Sequence, residues 1–161
     1  TERYYEEEGR AELTPRDFGI LMHRVFENAA TTDEIYTAIE AMTQDGVLDE
    51  KEAPRLRELV EKALADPVTA EWFGGRWQVV RNENEIILPG SGTTRRPDRV
   101  MTDGERAVVV DYKFGDRETA RHRKQIREYL RLLRQMGYTR TEGYLWYVRL
   151  GRTERVEEKE D

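Results

Sequence analysis

Asp98, Asp111 and Lys113 lie on either side of Asp103-Gly104, a dipeptide that signals a two-residue β-hairpin turn. With that dipeptide at the turn, Thr102 pairs with Glu105, and counting back sets Asp98 opposite Val109. Residues two apart on a strand share a face. Asp98, Val109, Asp111 and Lys113 are therefore expected on one side. The two aspartates become diagonal neighbours, with backbones roughly 7–8 Å apart. Carboxylates so placed repel unless a cation lies between them. A hard ion such as Mg²⁺ takes oxygen ligands, keeps several waters, and typically uses one or two carboxylates plus a substrate phosphate. A lysine beside it can orient or deprotonate a water and offset charge on the phosphate, which makes the set a hydrolytic centre for phosphodiesters. A register slip of one residue breaks this arrangement, whereas a slip of two preserves the shared face. Asp-x-Lys alone is far more often a structural ion pair at the end of a buried strand, so other residues must decide.

Three further features stand out. His23 sits at the edge of the apolar stripe formed by Phe18, Leu21, Met22, Val25 and Phe26. Gly19, one turn earlier, costs about 1 kcal/mol relative to Ala in a helix interior, so a close approach is expected there. Gln125 and Tyr129 are one turn apart on a basic helix and share a face.

Arg96-Pro97-Asp98 followed by Asp111-Tyr112-Lys113 resembles the signature of the PD-(D/E)XK nuclease superfamily. Gly19-x-x-x-His23 before the strands and Gln125-x-x-x-Tyr129 after the lysine resemble its RecB-like branch. The runs Arg96–Met101, Asp111–Gly115 and Gly143–Tyr147 resemble the C-terminal nuclease domain of bacterial UvrD-type helicases, and the likeness extends from Phe18 to Val148. It implies an α/β, restriction-endonuclease-like core: a mixed β-sheet flanked by helices, with an N-terminal helical region. It implies that Asp98, Asp111, the Tyr112 backbone carbonyl and His23 hold one Mg²⁺ or Mn²⁺ ion, and that Lys113 positions the attacking water. Gln125 and Tyr129 are then expected beside the site, together with an acidic residue, Glu83, for which Glu85 competes. Pro97 departs from the commonest pattern, and a proline in a strand points to an edge or a bulge. The implied activity is DNA cleavage leaving a 5′-phosphate, by an exonuclease in preference to an endonuclease, in DNA repair or recombination. The alternative is a catalytically silent module of the same fold that binds DNA or a partner subunit. Such a module would be expected to have lost a carboxylate or the lysine, and this chain keeps them all. A stand-alone restriction-type enzyme fits the size but not the helicase-like wording.

The elements that must position these residues read as follows. Helices are expected from Thr14-Pro15, from Thr32-Asp33 to Asp45-Gly46, and from Lys51 to Ala65, with a short turn over Ala70–Phe73. Strands are expected over Trp77–Val80, Glu85–Leu88, Arg96–Thr102, Glu105–Lys113 and Thr141–Leu150, with a loop at Pro89–Gly92. A long helix from Asp116 to Met136 separates the last two strands and ends at Gly137. Residues 1–75 form the helical part carrying the histidine and 76–150 the core sheet and long helix, together one domain; 151–161 read as an acidic tail.

Of the 161 residues, 37% are hydrophobic and 37% charged, enough for one core under a heavily charged surface. The lack of cysteine excludes disulfides and cysteine metal clusters and fits a reducing compartment. No apolar run is long enough to span a bilayer, and no signal-peptide pattern occurs. With the helicase likeness, this gives a bacterial cytoplasmic expectation. A start at Thr1 reads as an excised or processed piece. No Gly-x-x-x-x-Gly-Lys-Ser/Thr loop is present, so a helicase motor would be a partner outside this sequence. The net charge of −6 argues against a generic nucleic-acid binder. Arg117–Arg134, with seven Lys/Arg and two Glu, and the Arg95-Arg96…Arg99 region are the expected DNA surfaces.

Overall fold

The Thr14 hydroxyl accepts from the Asp17 N–H at 3.2 Å, and the Asp17 carboxylate accepts from the Thr14 N–H at 2.8 Å. This reciprocal cap, with Pro15 behind it, starts helix α1 (Pro15–Phe26). The computed structural model describes residues 12–86, 96–114 and 120–159. Thr31 caps α2 (Thr32–Gln44), which ends at Asp45 before Gly46 in the left-handed region (φ +79°). Asp49 accepts from the Lys51 and Glu52 N–H groups at the start of α3 (Glu52–Ala63). Asp66 caps α4 (Pro67–Trp72), a short helix where only a turn was expected.

The strands are β1 (Val79–Asn82), β2 (Arg99–Asp103), β3 (Arg106–Lys113), β4 (Arg140–Tyr147) and β5 (Arg152–Val156). They form one sheet in the order β1-β2-β3-β4-β5. Every pair is antiparallel except β3 with β4, which run parallel and are joined across the sheet by α5 (Ala120–Gln135). Helices cover both faces. On one side Met101, Val108, Val110, Tyr112 and Trp146 pack against Phe26, Trp72, Phe73 and the rest of α1–α4. Trp146 is fully buried at the centre of this layer, stacked on Phe26 (centroids 5.2 Å) and edge-on to Tyr112 (5.7 Å). On the other side Val100, Val109, Leu145 and Tyr147 meet Ile126, Tyr129, Leu130 and Leu133 of α5. The N-terminal helices therefore share a core with the sheet. Among the described residues no helix is long and apolar enough to cross a membrane.

Several expectations change. Asp103 pairs with Arg106, so Gly104-Glu105 and not Asp103-Gly104 is the two-residue loop. Gly104 has φ +57° at the first loop position, as a type II′ turn requires, and no non-glycine residue among those described has positive φ. The register moves by two: Val100, not Asp98, faces Val109. Pro97 lies outside any strand, because β2 begins at Arg99, past the residue that cannot donate to a ladder. Arg99 is no DNA contact. It is fully buried, its guanidinium lies 4.0 Å over the Phe73 ring, and it donates to the carbonyls of Ala29, Ala30 and Trp72.

Glu83–Glu85 form a 3₁₀ turn where a strand was expected from Glu85; Leu88 lies outside the described residues, as do Pro89–Gly92, Arg95, Gly115, Asp116 and Arg117. Trp77 lies outside β1, and its indole N–H bonds to the Glu71 carbonyl. Val148–Leu150 are a turn and not strand, and Arg152–Val156, expected as tail, pair with β4.

Candidate active site

Asp98 sits in a bend one residue before β2. Continued past Arg99–Val110, the register sets it beside Asp111. Each aspartate accepts a hydrogen bond from the other strand's backbone: the Asp98 N–H donates to Asp111 Oδ1 at 3.0 Å, and the Tyr112 N–H donates to Asp98 Oδ2 at 2.7 Å. The second bond stands where the Tyr112 N–H would otherwise meet the Pro97 carbonyl in a ladder. Strand N–H groups point along the sheet, so the Asp98 carboxylate lies at the sheet's end and not on the face that Asp111 occupies. Asp111 is 7% exposed. Lys113, two residues on, shares its face and is half-buried.

Helix α1 brings His23 to this end. Its Nε2 lies 3.4 Å from Asp98 Oδ1, and its Nδ1 lies 3.6 Å from the Glu27 carboxylate one turn along. The hydrogen bond to Asp98 raises the His23 pKa; partial burial opposes this, and the charges of Asp98, Glu27 and Glu83 add to it. Gly19 permits the approach, since a Cβ there would stand 3.1 Å from Phe114 Cβ at the end of β3. The 3₁₀ turn after β1 supplies Glu83. One donor atom each from His23, Glu83 and Asp98 lie within 4.8 Å of one another, all three residues half-buried. Glu85 is occupied otherwise, its Oε1 accepting from the Asn82 N–H at 3.0 Å.

A family model of the PD-(D/E)XK nuclease superfamily matches residues 2–161. The chain belongs to this superfamily. Its mixed five-stranded sheet flanked by helices is the restriction-endonuclease-like α/β fold. No curated protein shows significant similarity to the chain.

The residues fit the divalent metal that PD-(D/E)XK nucleases use. Carboxylate oxygens with one imidazole are a hard-to-intermediate donor set, suited to Mg²⁺ or Mn²⁺. The negative charges that raise the proton affinity of His23 equally attract a cation. Tyr112 also fits. Its N–H points toward the start of β2, and in a strand the carbonyl of the same residue points the same way. The residue opposite is Pro97, which has no N–H to give that carbonyl.

Gln125 and Tyr129 stand on α5, on the side of the sheet to which Asp111 and Lys113 project. Tyr129 is 6% exposed and packed into the core, where burial raises its pKa, partly offset by Arg81. Gln125 Oε1 is buried and has no hydrogen-bond partner among the described residues. The structure thus gathers His23, Glu83, Asp98 and Asp111, and sets Tyr129 in the layer beneath. Glu27 went unread in the sequence, although a carboxylate four residues after a ligand-type histidine on one helix face is a usable signal.

Proposed function

We propose that this chain is a divalent-metal-dependent DNA nuclease domain of the RecB-like branch, the nuclease module of a bacterial, cytoplasmic helicase-nuclease acting in repair or recombination. The observation that carries the reading is the convergence of His23, Glu83 and Asp98 within 4.8 Å, with Asp111 tied to Asp98 through the backbone. His23, Asp98, Asp111 and the Tyr112 carbonyl would hold the ion, with Glu83 at its margin. When bound, a divalent cation supplies positive charge against the scissile phosphate and lowers the pKa of water. Lys113, on the Asp111 face, orients the attacking water and offsets charge growing on the phosphate. Glu27 fixes the His23 ring so that Nε2 faces the site. Gln125, above the core that holds Tyr129, borders the site from the side of α5.

The likeness to helicase-nuclease domains supports exonucleolytic cleavage leaving a 5′-phosphate. The test incubates the 161-residue chain with linear and circular DNA, single- and double-stranded, in Mg²⁺, Mn²⁺ or EDTA. Metal-dependent loss of linear DNA is expected. DNA binding without cleavage of any substrate in either metal would leave a silent binding module instead.

A further inference from the structure

Arg16, Ile20 and Arg24 follow one another at four-residue spacing on α1, so they form a stripe along the helix. All three are exposed, Ile20 by 53%. Arg149, in the turn after β4, and Phe114, at the end of β3, stand beside the stripe. With His23 these residues line an open cavity of about 570 Å³. His23 belongs to both the cavity and the candidate metal cluster, so the one opens on the other. The Phe114 ring lies edge-on to His23 at 5.8 Å.

Charge and position together set this cavity apart. Arg16, Arg24 and Arg149 make no ion pair among the described residues. On the basic helix α5, Arg123 is paired with Glu154 and Arg134 with Glu158, while Arg121, Lys124 and Arg131 also make no ion pair among the described residues. What distinguishes the α1 arginines is that they line the cavity His23 also lines. In a chain of net charge −6, three guanidiniums without an ion pair among the described residues therefore gather around an apolar floor of Ile20 and Phe114. Arg16 and Arg24 are about 12 Å apart along the axis, so different phosphates of one strand can meet different guanidiniums. Guanidiniums that track a backbone, with an aromatic face for bases, are the chemistry of single-strand recognition. A duplex keeps its bases stacked inside and cannot use the floor. An acidic peptide has no base at every step of its backbone to set on the aromatic ring.

We infer that this cavity seats a single strand of DNA and leads its phosphates to the His23–Asp98 site. The inference rests on the nuclease reading above and names its substrate class. It places the path across α1, not along α5.

Binding is measured in EDTA by fluorescence anisotropy, with a labelled oligothymidine and a duplex of equal length. The single strand should bind tighter. Arg16→Glu, Arg24→Glu and Arg149→Glu together should weaken it at least about tenfold and lower the salt slope by about 2, since each single-strand phosphate contact contributes roughly 0.7. Phe114→Leu, which keeps the Cβ facing Gly19, should weaken oligothymidine several-fold and leave the duplex unchanged. Arg121→Glu, Lys124→Glu and Arg127→Glu together should change oligothymidine binding little. Thermal melting checks that each variant is folded.

Wild-type affinity in the α1 triple variant overturns the inference. So does failure of the wild type to bind oligothymidine, or its displacement by polyglutamate at equal charge. Cleavage in Mg²⁺ and Mn²⁺ is a separate arm. Binding that depends on the α1 arginines without any cleavage sinks the nuclease reading and leaves the cavity. Cleavage with an α1 triple variant that binds and cuts like wild type sinks the cavity and leaves the nuclease.

Discussion

Removing one carboxylate charge separates holding a cation from using it. Asp98→Asn and Asp111→Asn should each abolish cleavage. Each should also remove most of the rise in melting temperature that Mg²⁺ or Mn²⁺ gives the wild type, because a ligand of the folded state stabilises by mass action. Lys113→Ala should lose cleavage and keep the metal-induced rise. Thermal melts of the four proteins with and without metal decide this; a full rise in both Asn variants would mean that the aspartates share no ion. At this scale the sequence was legible in kind but not in geometry. Asp98 and Asp111 were found as a pair because their types and order carry chemistry. Their contact is not legible there, because Gly at the first loop position, not Asp, sets the turn. The two-residue shift turned diagonal neighbours into a crossed pair. Arg99 could not be read at all: only the fold shows that it meets three carbonyls and no solvent.

Elements place these side chains, and helix α1 is the sensitive one. His23 reaches Asp98 only because Gly19 lets α1 settle on Phe114, where even a methyl would be tight at 3.1 Å. Gly19→Ala removes a helix penalty of about 1 kcal/mol while pushing the helix outward, so its melting temperature should change little. The Mn²⁺-induced rise should nevertheless shrink. Gly19→Val should cost about 1–3 kcal/mol through overpacking. A metal response in both variants equal to wild type would show that the approach of α1 does not govern the site. The close approach at Gly19 was readable in advance, because a glycine in a helix interior needs a reason. Strand β5 was not, because Arg152-Thr153-Glu154-Arg155 offers no apolar alternation; only Val156 is buried, and pairing with β4 makes the strand. The 3₁₀ turn at Glu83 was hidden likewise, since the Glu85 cap on Asn82 is local and leaves no periodic trace.

Across the whole molecule, charges that look segregated in the sequence meet in space. The acidic C-terminal stretch reaches back to α5 through Arg123–Glu154 and Arg134–Glu158, so the most basic segment is partly neutralised. Composition alone reads α5 as a basic surface; in space its charge is partly taken up, and α1 presents further guanidiniums, Arg16 and Arg24, without an ion pair among the described residues. A second network, Glu71–Arg106–Glu142, ties α4 to the sheet. Burial tends to raise the Glu142 pKa, but the hydrogen bond and charge of Arg106 outweigh it, and the net shift is downward. A carboxyl with a depressed folded-state pKa adds stability above its unfolded value and loses it as pH falls through the folded one. Glu142→Gln should therefore be less stable than wild type at neutral pH, and the gap should close through the acid range below the ordinary carboxylate value. Melting curves across that range test this; a constant gap would remove Glu142 from the acid response.

The aromatic layer beneath the sheet has an optical consequence. Tyr112 gives its backbone to the Asp98 carboxylate and its ring to the buried indole of Trp146, 5.7 Å away. Cation capture at Asp98 should therefore perturb that indole with no extrinsic probe. Titration with Mg²⁺ should change the tryptophan emission of the wild type along a saturable curve. Asp98→Asn should flatten the curve by removing the ligand, and Trp146→Phe should flatten it by removing the reporter while the thermal response to metal survives. An undiminished curve in Trp146→Phe would assign the signal to Trp72 or Trp77. Otherwise occupancy of the site can be followed in real time, in the same cuvette as the cleavage it is expected to support.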